Sequence, residues 1–575
     1  MTRYDKRRSA LAAVALTGIL ALAACSSSTS TTGSSTPSNA GSTPTTGGTS
    51  SSGGGTASGG GKQGGTATVD LGAAPGSLDP QMAYAAGSQD AVWLAYTGLL
   101  TYARANGDAG TKVIPGLATA LPTITNGGKT YTLSLRSGLK YSNGTPVKAA
   151  DFAYTMMRAI KLNWGGVSLF TYTIKGAADF QANKATTISG ITSDDTTGKI
   201  TIELNTPYGP FSNVLALSGA GLVPTGTAMK NLATNPPPGL GPYTLNSVTS
   251  YGFTMTKAPS FAGYNLPGIP AGHLDTIVIK TQSNALSAAE DVLKNQADAF
   301  DPSGVVPGSL LSSITAQAGS RFSNVKVPWT YYFWLNQTVA PFNNVQARLA
   351  VATALDRKAL VRLSSGQLAA GCNFLPPGIA GHVDGDCVTQ TNGADLAKGK
   401  QMIAAAGLTG APVTVWGTSI APRDSYANYY ASLLTSLGFT VTTKLLAPAV
   451  YSATISNPTT KAQTGYGDWA QDFPHPVDFT LPYSAAGIAA NLNYGRVNDP
   501  MIEATITKVG GTPSDQLAGV ASQWAAVDHE LNAKAQVLPF GYAQLPKFLS
   551  SRIDYQKAIF SLIYYNDYSS WQLVS

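Results

Sequence analysis

The chain has 575 residues, 43% of them hydrophobic and only 12% charged, with a formal net charge of +7. The first 24 residues hold four basic side chains and one acid, so +3 of that charge sits there and +4 in the rest, with no block of five or six like charges. This balance excludes the clustered Lys/Arg footprint of a nucleic-acid surface, and no apolar run beyond the first 24 residues approaches a membrane span.

Arg3, Lys6, Arg7 and Arg8 precede an apolar run from Ala10 to Ala24, too short to span a bilayer comfortably. Its end, Leu22-Ala23-Ala24-Cys25, supplies small residues before a cut and a thiol that can be acylated after export. Residues 1–24 therefore read as a lipoprotein signal peptide and Cys25 as the lipidated residue, which predicts an exported chain held at the outer face of the cell membrane. Residues 25–64 are almost wholly Ser, Thr, Gly, Pro and Ala, with nothing to bury, and read as a disordered tether. A Gly/Ser coil of roughly 39 residues has an r.m.s. span of about 35 Å. The Gly59-Gly60-Gly61-Lys62-Gln63-Gly64 match to a dinucleotide-binding pattern has no preceding strand and carries no weight. With Cys25 assigned to lipid, Cys372 and Cys387 remain, and in an exported chain they are expected to form a disulfide.

After the tether, about 510 residues can build a large core with more than one lobe. Gly65 to Leu71 alternates as a strand, the Pro75 to Pro80 turn follows, and a helix is expected from about Ser88 into Leu99-Leu100. Tyr131, Leu133 and Leu135 mark a half-buried strand entered by a turn at Asn126-Gly127-Gly128; Gly127-Gly128-Lys129-Thr130 lacks the first Gly of a phosphate loop and reads as a hairpin. The turn Tyr141 to Val147, with Pro146 placed to open a helix, leads to Asp151, Phe152, Met156, Arg158 and Ile160 at helical spacing. Gly239 to Tyr243 is a tight turn feeding a hairpin through Leu245, Val248, Phe253 and Met255; a strand at Leu274–Lys280 and a helix at Ala285–Lys294 follow.

A second block starts near Trp329 with the aromatic run Tyr331 to Leu335. Asn343 or Asn344 then introduces a helix with Val345, Leu349 and Ala352 on one face, Asp356 caps the next, and a helix over Ala394–Ala406 ends at Gly407. Strands and helices alternate throughout, so the fold class is mixed α/β or α+β. Gly-x-Ser-x-Gly is absent, His529-Glu530 lacks the second His of a zinc helix, and His273, His382, His475 and His529 form no ligand pair at helical spacing. No catalytic residue, metal or cofactor is expected.

Several segments together resemble the family 5 extracytoplasmic solute-binding proteins of ABC importers, the group of oligopeptide- and dipeptide-binding proteins. The family's Leu-Arg-x-Gly and Phe-x-Asp-Gly-x-Pro-Val-Thr-Ala-x-Asp appear as Leu135 to Gly138 and Tyr141 to Asp151, and its Gly-Thr-Gly-Pro-Tyr turn as Gly239 to Tyr243. Its Asn…Pro-Phe…Arg-x-Ala…Ala-x-Asp-Arg element is Asn336, Pro341-Phe342, Arg348 to Ala350 and Ala354 to Arg357, with Leu375 to Gly378 after it. Each is weak alone; their order and spacing are specific. Lys148 and Leu240, where the family has Thr, and Ala258, where an Asn often stands, mark a divergent member.

The resemblance implies a two-lobe, periplasmic-binding-protein-like fold of type II with an extra domain inserted in the N-terminal lobe. Lobe I would comprise residues 65–100, 238–328 and 541–575, the inserted domain 101–237, and lobe II 329–540. Ligand would be enclosed between the lobes by hinge closure and handed to a permease and its ATPase by a monomeric, lipid-anchored receptor. The segment Gly467 to Pro476 is similar to the family's Trp-x-x-Asp-x-x-x-Pro stretch, whose Asp pairs with a peptide's α-ammonium; that role falls on Asp472, with Trp469 lining the same pocket. Contacts opposite Asp472 are expected around Tyr84 to Tyr96 and near Trp329. Oligo- or dipeptides are the favoured solutes; a nickel complex, a sugar or haem on the same fold, a surface receptor without a transporter, and an exported hydrolase are the alternatives.

Overall fold

A computed structural model describes residues 62–301, 306–385, 387–390 and 393–574. Cys25 and the tether up to residue 61 lie outside the described residues. Lys62 to Gly64, assigned by composition to the tether, are already fastened to the folded body. The Lys62 amide donates to the Leu573 carbonyl at 3.1 Å, the Gly64 amide donates to the His273 carbonyl at 2.8 Å, and the Gln63 amide group meets His273 Nδ1 at 2.8 Å.

The first sheet is built around Thr66–Leu71, which runs parallel to Thr276–Thr281 on one side and to Ala299–Phe300 on the other. The hairpin Tyr243–Thr249 and Gly252–Lys257 extends it. Val69, Met255, Ile277 and Trp571 fill one continuous core beneath it. Gly252 is obligatory here: at φ +144 its backbone lies so close that a Cβ would sit 2.0 Å from the Ile279 carbonyl oxygen.

A separate antiparallel sheet orders Thr123–Thr125, Thr130–Ser134, Lys199–Glu203 and Ile191–Asp194. The expected hairpin at Asn126 to Gly128 is present, with Asn126 and Gly127 both at positive φ. Helix Ala150–Lys161 buries Phe152, Met156, Ala159 and Ile160, the face its spacing predicts. Pro146 does not open that helix; it bridges to Lys140, and the helix begins four residues later.

The largest sheet has six strands in the order Leu368–Ala370, Val537–Phe548, Phe322–Leu335, Thr464–Ala470, Pro412–Thr418 and Thr440–Leu446. Its two long central strands are antiparallel and outlast it. Their register breaks between Lys326 and Thr330, around Pro328, which has no amide hydrogen to give to the ladder. Past that break Phe322 and Phe548 pack edge-on, Phe548 meets Phe300 of the first sheet, and Leu549 bridges to Ala299. A 14-residue strand spans about 46 Å, so this pair ties the two sheets together.

Two local expectations are corrected by the structure. The helix expected to reach Leu100 is Ala86–Ala95 and stops there, because Gly239 and Gly241 press on its last turn; a Cβ on Gly241 would lie 2.2 Å from the Leu94 carbonyl oxygen. Leu100 instead begins the strand Leu100–Tyr102. In helix Val345–Ala354, capped by Asn344, Ala352 is buried and Leu349 half-buried as expected, but Val345 is exposed and Ala347, Ala350, Val351 and Ala354 complete the buried side. Asp356 caps Arg357–Leu363 by accepting the Ala359 amide, as expected, and Cys372 and Cys387 are joined in a disulfide that closes a loop of sequence separation 15.

Candidate binding site

Asp472 follows directly on the strand Thr464–Ala470 and is held by its neighbours' backbone. The Gln471 amide donates to the Pro328 carbonyl at 3.0 Å, on the long strand where the register breaks, and its side-chain amide donates to the Leu562 carbonyl at 2.8 Å. The Asp472 amide donates to Asp478 Oδ2 at 2.8 Å, and Phe473 is buried in the core beside the antiparallel sheet. His475 closes the turn: its Nδ1 accepts the Val477 amide, which leaves Nε2 to donate to the Thr512 carbonyl at 3.0 Å. Burial lowers the pKa of His475 to about 4, so the ring stays neutral and structural.

Tyr84 reaches this turn from a loop ahead of helix Ala86–Ala95. Its hydroxyl lies 2.7 Å from both carboxylate oxygens of Asp472, a contact between positions 388 residues apart. The ring leaves 37% of its surface open while its hydroxyl end is enclosed, and burial with the adjacent Asp472 raises the phenol's pKa, so it remains a donor. Tyr84 stands edge-on to Trp164 at 5.6 Å, and only glycine fits at position 165, where a Cβ would sit 2.4 Å from the Tyr84 ring.

Between these two walls lies a cavity of about 370 Å³. Asp472 and Trp469 both line it, together with Trp329, Asp90 and Tyr565. Antiparallel pairing sets Trp329 opposite Ala470 and Thr330 opposite Trp469, which brings the two indoles to the same end of the sheet. Trp469 also packs against the core that holds Trp334 and Trp524, so it is at once a cavity wall and a core residue. The Trp329 indole N–H is enclosed without a partner among the described residues.

The cavity is acidic. Desolvation pushes the Asp472 carboxyl up to about 6 from its ordinary 3.8, against the lowering effect of the Tyr84 hydrogen bond. Burial and the Asp472 charge raise the Asp478 carboxyl well above its ordinary range as well. Asp468 differs, since Arg423 stands 2.8 Å away and the Tyr466 hydroxyl donates to it, so its charge is compensated within the wall.

The stretches expected to face Asp472, around Tyr84 to Tyr96 and near Trp329, contribute Tyr84, Gln89, Asp90 and Trp329 to the lining. Sequence reasoning missed Gly165, Leu492 and Ile563 to Tyr565. The last three arrive from the C-terminal segment, and Tyr565 does so at φ +58, a strained angle that no motif announces.

The sequence profile of bacterial extracellular solute-binding proteins, family 5 (middle), matches residues 112–491. The oligopeptide-binding protein OppA of Bacillus subtilis (strain 168) is 25% identical over 329 residues, covering 56% of this chain and 58% of that one. The glutathione-binding protein GsiB of Escherichia coli (strain K12) is 29% identical over 265 residues, 45% of this chain and 47% of that protein. The match thus spans about half the length of these curated relatives. Among solved structures, the clavulanic acid biosynthesis oligopeptide binding protein 2 superposes with a TM-score of 0.81 at 21% identity, covering 89% of this chain and 96% of the other. The Helicobacter pylori protein DppA in complex with the peptide STSA gives 0.71 at 19% identity, covering 89% and 99%. These likenesses show the mixed α/β, two-lobe fold.

Proposed function

Because the chain belongs to the family 5 bacterial extracellular solute-binding proteins, we propose that it captures small peptides between its two lobes and delivers them to the permease and ATPase of an ABC importer. In this reading lobe I comprises residues 65–100, 238–328 and 541–575, the inserted domain 101–237, and lobe II 329–540. Cys25 carries the lipid that keeps a monomeric receptor at the outer face of the membrane. The protein turns nothing over; capture and release are its whole activity.

One observation carries the reading: Tyr84 and Asp472, from walls 388 residues apart in sequence, meet at a cavity lined by acidic side chains. Asp472 accepts a hydrogen bond from Tyr84 yet has no cation beside it, and its raised pKa expresses the cost of that isolation. A ligand's α-ammonium removes the cost by pairing with the ionised carboxylate. Trp329 offers an unpaired indole N–H to a peptide carbonyl, and Trp469 an apolar face to the ligand's body or its cation. Names of the relatives, an oligopeptide- and a glutathione-binding protein, support the same solute class.

Calorimetric titration of dipeptides into the wild-type protein and into Asp472→Ala tests this. Removing one partner of an enclosed charge pair costs about 2 to 5 kcal/mol, so affinity should fall at least tenfold. Unchanged affinity in Asp472→Ala rules out the assigned role.

A further inference from the structure

Most buried acids of this protein have a counter-ion or a set of donors of their own. Asp79 is gripped by both terminal nitrogens of Arg158 at 2.6 Å, Asp567 by Arg104 at 3.2 Å, and Asp298 by Arg552 and the Ser550 hydroxyl. Asp151 accepts from Tyr141, Thr225 and the Lys148 amide, and Asp528 from the amides of Phe374 and Leu375.

Asp90 differs in its place. It is 1% exposed, lies in the helix Ala86–Ala95, lines the cavity beside Asp472, and has no Lys, Arg or His paired with it among the described residues. Burial, Asp301 and Asp567 push its pKa far above the usual carboxylate range, against the lowering effect of hydrogen bonds from the Tyr568 hydroxyl and the Asn566 backbone. Without a cation the carboxyl is held protonated there, and a cation brought into the cavity can pair with it in its ionised form.

The rest of the cavity has the same sign. Its lining contains Asp90, Asp468 and Asp472, and among the described residues no Lys, Arg or His. Burial raises the pKa of the Tyr565 hydroxyl, and the charges of Asp90, Asp301, Asp472 and Asp468 raise it further. Arg423 is already spent on Asp468. The cavity therefore holds two carboxyls without counter-ions, Asp472 and Asp90, and no group placed to receive a free carboxylate. At about 370 Å³ it has room for a small peptide.

We infer that the ligand is a small dication, a basic peptide whose α-ammonium meets Asp472 and whose side-chain ammonium or guanidinium meets Asp90. This rests on the peptide-capture reading above and sharpens it from peptides in general to basic ones. The same logic makes Asp90 a residue that sets specificity: its carboxyl can ionise against a basic side chain and gains nothing from a neutral one.

Lysyl-alanine and norleucyl-alanine differ in the side-chain ammonium, and their affinities for the wild-type protein and for Asp90→Asn can be compared by calorimetry. The wild type is expected to prefer lysyl-alanine by about tenfold or more, and in Asp90→Asn that ratio should collapse toward one. Equal affinities in the wild type, a comparison that needs no variant to fold, overturn the inference, as does a preference that survives Asp90→Asn. Binding of both dipeptides with the same Asp472 dependence and no preference sinks this inference alone. If neither dipeptide binds, 1,5-diaminopentane separates the two claims: tight binding that weakens in Asp90→Asn upholds the dication site while peptide capture fails, and no binding of the diamine overturns the dication site as well.

Discussion

Replacing Asp472 by Asn should make the ligand-free protein more stable at neutral pH while removing its grip on ligand. The carboxyl titrates at about 6 in the folded protein against 3.8 ordinarily, chiefly through desolvation. That is a difference of about two units, and at roughly 1.4 kcal/mol per unit the ionised form costs the fold about 3 kcal/mol. Because the folded state holds the proton more tightly than the unfolded one, wild-type stability from this group falls as pH rises from about 4 to about 6 and is level above that. Asn stands in for the neutral carboxyl and keeps one oxygen for the Tyr84 hydroxyl, and it also lifts the Asp472 charge from Asp478. Urea unfolding of both proteins, followed by tryptophan fluorescence, should give equal stabilities near pH 4 and an advantage for Asp472→Asn approaching 3 kcal/mol near pH 7. A variant no more stable than wild type at pH 7, or a gap that does not change with pH, refutes the claim that burial of this charge is uncompensated.

Two further outcomes follow from the covalent features. Cys372→Ser with Cys387→Ser opens a loop of separation 15, and the chain-entropy estimate for such a loop is about 3 kcal/mol; the double variant should unfold at lower urea by that amount, and reduction of the wild type should reproduce the shift. Cys25→Ala should release a folded, ligand-competent protein into the culture medium, as fractionation would show, since one acyl chain binds a bilayer only marginally and stable retention needs more than one on that residue; retention at the membrane would contradict the anchor assignment.

What the sequence made legible was what local chemistry decides. Strand alternation at Tyr131 and Leu133, the helical face of Phe152 and Met156, and the cap at Asp356 all follow from neighbours within a few positions, and the structure has each. Asp472 was placed by a motif resemblance, and the cavity does reach it. The end of helix Ala86–Ala95 was misjudged because it is fixed by Gly239 and Gly241, more than 140 positions away, which press on Leu94 and Ala95. Tyr565 is invisible for the same reason, and Asp90, though inside the stretch expected to face Asp472, is not singled out by it. A lone Asp in a helix and a Tyr in a C-terminal loop gain their meaning only when the fold sets them around one cavity, and no periodicity records that.

Native mass spectrometry of the protein as purified under gentle conditions tests the central claim most directly, because a closed cleft between two lobes retains what it has captured. The account predicts a bound small peptide, released on acidification below the Asp472 titration near pH 6 and absent from Asp472→Ala. A retained ligand that is not a peptide, or one that Asp472→Ala keeps in full, would contradict it.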